Sequence, residues 1–101
     1  MLKYEDVVAI ENGEVEPDAY YDAVQRAINS GQAWSLQGSF GRTMMGAIDS
    51  GHCLLGKTSA RDYYGNWIPS RFDVKPGTKG SFDFVASNMG DEWAAHMAEL
   101  D

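Results

Sequence analysis

Four glycines divide this chain into short helical stretches. Gly13, Gly31, Gly51 and Gly90 each follow a run of helix-compatible residues. Glycine reaches the left-handed backbone region without strain, so it is the natural helix stop. The stops predict short helices over about residues 3–12, from Pro17 to Gly31, and from about Ser39 to Gly51, with two more near the C-terminus. Pro17 suits a first helical turn, where its missing N–H is not needed, and Asp18 suits the positive end of that helix. Ser39, Ser81 and Asp91 are read as N-caps.

The apolar residues between the stops recur at helical spacing. Tyr20, Val24, Ala27 and Ile28 share one face, and Phe40, Met44, Ala47 and Ile48 share another. Val7, Val8 and Ile10 give the first helix its apolar surface. Phe82, Val85 and Met89, then Trp93, Met97 and Leu100, mark the last two helices. The piece "QAWSLQG" reads as a short turn or helical link. Between residues 52 and 80 the pattern changes. In "DYYGNWIP", Gly65-Asn66 stands between two aromatic, strand-like pairs, as a tight hairpin turn would. Pro69 confines any strand there to an edge, and "KPGT" is a turn signal. The expected fold is mainly α, a compact bundle of about five short helices with a small β-hairpin or extended aromatic loop. It forms one domain, 1–101: a helical N-terminal region over residues 1–51, a loop or hairpin over 52–80, and C-terminal helices over 81–101.

Fifteen acids against eight lysines and arginines leave a net charge of -7. Residues 1–22 hold seven acids and only Lys3, whereas Lys57, Arg61, Arg71, Lys75 and Lys79 crowd residues 57–79. Such a balance repels phosphate backbones at long range, so nucleic acid is an unfavoured partner except through 57–79. No apolar run approaches the ~20 residues that a membrane span needs. The acidic N-terminus lacks signal-peptide features, and the single Cys53 has no disulfide partner in the chain. The expected setting is the cytoplasm.

"GHCLLGKT", residues 51–58, has the spacing of a phosphate-binding P-loop, but its context is wrong. That loop needs a strand leading in and a helix leading out. Here a helix leads in, and "SARDYYGNW" is a poor helix. The match is accidental, and Gly51 is a helix stop. Leu54 and Leu55 are expected to turn into the core. His52, Cys53 and His96 lack the paired spacing of a structural zinc site, and no nucleophile-base pair has supporting spacing. No catalytic residue, metal ligand or cofactor is assigned. A helix-turn-helix reading of 17–50 fails because "RTMMGAID" is too apolar to read bases.

Two stretches remain as binding candidates. In "WSLQGSFGR", Trp34, Gln37, Ser39 and Arg42 could contact a small anion, peptide carbonyl or carboxylate. The structural alternative is preferred: Gly38 and Gly41 let helices approach, and Arg42 pairs with an acid of the N-terminal segment. In "RDYYGNWIPSR", Arg61, Tyr63, Tyr64, Asn66, Trp67 and Arg71 combine residue types enriched at interface hot spots. Inward-facing aromatics would instead be a mini-core pinning the loop.

The stretch "AWSLQGSFGR" also carries a resemblance. With "ENGE" at Glu11–Glu14, Gln25, Ile28, Ser30-Gly31, Ile48, Gly51 and Cys53, it resembles a family of small uncharacterised accessory proteins of tailed bacteriophages. "DYYGN-x-IPSR…PGTKGS" is similar to an extension found in phages of actinobacteria. Phe40 stands where the family usually has tyrosine. The resemblance implies a viral accessory protein made in the cytoplasm of the infected host, and no chemistry. The leading functional expectation is a non-enzymatic protein that binds a host or phage protein, or a second copy of itself. The alternatives are a small-ligand or anion binder through 34–42, and nucleic-acid contact through 57–79.

Overall fold

Helices this short gain little from propensity alone and depend on the faces they bury. The computed structural model describes residues 2–13, 16–36 and 38–100. Among these residues five α-helices follow one another: α1 Tyr4–Asn12, α2 Pro17–Ser30, α3 Gly38–Asp49, α4 Phe82–Met89 and α5 Asp91–Glu99. A 3₁₀ turn, Ala33–Ser35, links α2 to α3. Two short strands, β1 Ala60–Arg61 and β2 Trp67–Ile68, pair antiparallel, with Ala60 opposite Ile68 and Arg61 opposite Trp67. The fold is mainly α with a small hairpin.

The glycine stops act as expected. Gly13 and Gly31 take left-handed backbone angles and return their N–H groups to Ala9 and Ile28 carbonyls. Gly51 does the same at the end of α3, with φ +81° and its N–H on the Ile48 carbonyl. Any side chain there would also strike Asn88. At "KPGT" the Thr78 N–H reaches the Lys75 carbonyl, and Gly77 takes φ +87° at the second central position.

Two caps and one turn differ from expectation. Ser81 caps α4 through its bond from the Phe84 N–H, but Ser39 lies inside the first turn of α3 and Asp91 is already helical, with Gly90 at the cap position. The hairpin does not turn on Gly65-Asn66. Its strand partner is Ala60–Arg61, so Tyr63 and Tyr64 lie in the loop. The reason is Asp62, whose carboxylate accepts the Tyr64 and Asn66 backbone N–H groups and the Asn66 side-chain amide. That Asx-type arrangement closes a wider loop than two residues would.

The buried residues form two clusters. The larger joins Val24, Ala27 and Ile28 of α2 to Phe40, Met44 and Ile48 of α3, with Trp34, Cys53 and Ile68. The smaller joins Val85, Ala94 and Met97 to Leu54, with Tyr21, Trp93 and Leu100 against it. Phe82 stays partly exposed at the edge of α4.

"GHCLLGKT" is the hinge between these clusters. Leu54 and Leu55 are buried as expected. Their backbone has no strand partner; the Leu55 N–H donates to the Gly80 carbonyl, and side chains complete the remaining hydrogen bonds. Buried Gln25 accepts the Leu54 N–H at 2.7 Å and donates to the Leu54 carbonyl at 3.0 Å. The Arg71 guanidinium donates to the Leu55 carbonyl and to Asn29. No helix follows Thr58, and Lys57 and Thr58 are exposed. The P-loop spacing therefore marks a structural junction.

Candidate binding groove

The 3₁₀ turn buries Trp34, which is only 2% exposed, beneath the start of α3. The first two turns of α3 then offer Gly38, Gly41, Arg42 and Met45 on the side that faces the hairpin. The hairpin loop supplies Asp62, Tyr63 and Tyr64, and β2 supplies Ile68. Between them lies a half-open groove of about 190 Å³. The two stretches singled out in the sequence thus meet across one groove.

Glycine makes the approach of the two walls possible. A Cβ on Gly38 would come within 2.5 Å of the Tyr64 hydroxyl. Gly41 differs: a Cβ there would meet nothing within 4 Å. It is not needed for helix packing, contrary to the structural role expected for it, and its missing side chain leaves space in the groove. An interior helical glycine costs roughly 1 kcal/mol relative to alanine.

The rim is aromatic and faces outward. Tyr63 is 58% exposed and Tyr64 69%. Trp67 is also exposed but does not line the groove: it precedes Ile68 on β2, and successive strand side chains leave opposite faces. The two tyrosine rings meet edge to face at 5.2 Å. These rings do not form a mini-core, and the Asp62 hydrogen bonds hold the loop that carries them.

The polar groups divide into spent and unspent. Asp62 uses both carboxylate oxygens within the loop. Arg61 folds its guanidinium onto the Gly65 carbonyl at 3.3 Å. Arg42 is exposed and makes no hydrogen bond or ion pair with the described residues. The expected pairing of an arginine with an N-terminal acid falls to Arg26, which binds Asp6 bidentately at 2.9–3.1 Å. That contact holds α1 on α2 and raises the Arg26 pKa.

The remaining candidates separate from the groove. Arg71 is structural: it is half-buried under Leu55, and burial lowers its pKa. Asn66 is exposed and serves the loop through Asp62. Ser39 is exposed on α3 and does not line the groove. Gln37 lies outside the described residues. Asp62 is the residue that sequence reading missed; its signal was Asp before an aromatic pair and Gly-Asn, the composition of an Asx-supported turn.

Reactive groups do not gather at the groove. Cys53 is fully buried in the larger cluster, and burial pushes its thiol up to about 12, with Asp22 adding to the rise. His52 stacks on Tyr21 at 4.2 Å, and His96 meets Asp22 at 2.9 Å, both on the side of α5. Among the described residues no three His, Cys, Asp or Glu side chains assemble as a metal-binding group. No described helix is long and apolar enough to cross a membrane.

One family model matches the chain: a domain of unknown function, DUF7417, over residues 4–60, more than half of the sequence. That segment includes the groove floor and ends just before Asp62. No curated protein and no solved structure matches the chain.

Proposed function

We propose, from the premise that the chain belongs to the DUF7417 family, that it is a non-enzymatic protein-binding module. The groove between α3 and the hairpin takes one apolar anchor side chain of a partner protein. On the resemblance to phage accessory proteins, that partner is a host or phage protein met in the cytoplasm of the infected cell. The observation that carries the reading is the outward aromatic rim over a floor opened by Gly41. Tyrosine, tryptophan and arginine around a pocket are the usual makings of a binding hot spot.

Within this groove, size favours a side chain over a small ligand, whereas the more open depressions that Ser39 and Arg42 border are larger, about 440 and 390 Å³. Pockets for drug-sized ligands and cofactors occupy roughly 300–1,000 Å³, and this groove is about 190 Å³. It suits a side chain better than a nucleotide. Nucleic-acid contact through residues 57–79 is weakened because Arg71 is spent inside the protein and Lys79 lies 4.0 Å from Asp49.

Selection from a randomised displayed peptide library tests the reading. Peptides selected on the wild-type protein should share an apolar anchor. They should lose about tenfold or more affinity for the Tyr63→Ala/Tyr64→Ala variant, as loss of hot-spot aromatics predicts. Selected peptides that bind the variant equally well would sink the proposal.

A further inference from the structure

We infer that the partner segment carries a carboxylate beside its apolar anchor, and that Arg42 is the residue that selects it. This inference rests on the groove reading above and adds the chemistry of the occupant.

Unspent hydrogen-bonding capacity in the groove points to the occupant. Two charged side chains line the groove, Arg42 and Asp62. Asp62 has both oxygens engaged by three donors of its own loop. Arg42 has a planar fork of donors and no partner among the described residues. The rim adds the hydroxyls of Tyr63 and Tyr64, which make no hydrogen bond with the described residues. What the site offers an incoming segment is therefore mostly donors. The complementary group is a strong acceptor, and a carboxylate matches the guanidinium fork with two parallel bonds.

Geometry places that acceptor next to the anchor. Arg42 follows Gly41 directly, at the edge of the space that the missing side chain leaves. Arg42 also borders the neighbouring depression formed with Tyr20, Thr43 and Gly46. A segment whose apolar side chain enters the groove would leave it past this guanidinium. Most of the chain's net charge of -7 is screened at working salt, because charges farther than about 8–10 Å contribute little. Asp62, however, keeps its negative charge in the groove even with its oxygens hydrogen-bonded. The surrounding acidity disfavours a partner with many acids, so the recognised feature is a single carboxylate beside an aromatic or aliphatic residue.

Three acetylated and amidated peptides test this: Gly-Gly-Phe-Glu-Gly, Gly-Gly-Phe-Gln-Gly and Gly-Gly-Phe-Lys-Gly, titrated into isotope-labelled protein and followed by amide chemical shifts. Shifts are expected at Gly41, Arg42 and Tyr64. The glutamate peptide should bind about fivefold or more tightly than the glutamine peptide, and the lysine peptide most weakly. Arg42→Gln should erase the difference between the first two peptides, and Arg42→Glu should reverse the order toward lysine. Equal binding of the glutamate and glutamine peptides, with shifts still in the groove, would overturn the carboxylate preference and leave the groove reading standing. So would a tighter lysine peptide on the wild-type protein. No shift at the groove from any of the three would count against the groove itself.

Discussion

The floor and the rim of the groove are built on opposite terms. The floor is an extension of the core. Trp34 is buried in the larger cluster with Phe40, Met44 and Cys53, and the floor, apart from Ile68 of β2, lies within the segment that matches the family model. The rim is a five-residue loop, Asp62 to Asn66, with its rings in solvent and its shape set by one carboxylate. It lies beyond the matched segment. On the proposed reading, stability and recognition fall to different residues a few ångströms apart. Truncating a buried floor side chain should cost folding, whereas changing a rim residue or filling the space at Gly41 should cost binding.

The largest effect should come from the floor. Trp34→Ala removes a fully packed indole and should destabilise the protein by about 3–5 kcal/mol, read from urea unfolding. A loss below about 1 kcal/mol would break the comparison, because it would mean that Trp34 is not part of the core.

The core beneath the floor should also be sensitive to alkali. The Cys53 thiol is held up to about 12 in the folded state, against an ordinary value of 9.0. Below pH 9 both states keep the proton, and stability is unaffected. Between pH 9 and 12 the unfolded state releases it while the folded state retains it, so stability falls as pH rises. At pH 10 the loss should be about 1.4 kcal/mol. Tyr20, whose pKa burial also raises, adds in the same direction at higher pH. In Cys53→Ala the component of the decline that begins near pH 9 should disappear. A thiol that reacts rapidly with an alkylating reagent at pH 8 would contradict its burial.

The smallest effect on folding should come from the rim. Tyr63→Ala is expected to change unfolding free energy by less than about 0.5 kcal/mol, while selected peptides lose about tenfold in affinity. Phe72→Ala sharpens the assignment. Phe72 is the most exposed aromatic of the basic segment, but it lines a different cavity with Pro76 and Phe82. Its loss should leave peptide affinity unchanged. If Phe72→Ala weakens binding and Tyr63→Ala does not, the binding face lies there instead.

The helices were legible in the sequence because their determinants are local. Gly13, Gly31 and Gly51 stop helices by backbone freedom, and Val24, Ala27 and Ile28 announce a buried face by spacing alone. The hairpin was legible as a hairpin but not in its register. Gly65-Asn66 is a sound turn signal, and only the three hydrogen bonds to Asp62 decide against it. Both halves of the groove could be picked out as unusual, but their meeting could not, because the contact of Tyr64 with Gly38 joins residues far apart in the chain. Arg71 misled for the same reason. An arginine beside aromatics reads as interface until Leu55 and Asn29, also distant in sequence, are seen to consume its donors.

Gly41 offers the most direct test of the account, because its two predicted effects have opposite signs. A leucine there meets no described atom at its Cβ and improves helix propensity by roughly 0.5–1 kcal/mol. It also fills the space that the anchor would occupy. Affinity of selected peptides for Gly41→Leu should therefore fall about tenfold or more, while the unfolding midpoint stays level or rises. Unchanged affinity in a folded Gly41→Leu protein would contradict the claim that this groove is where the protein binds its partner.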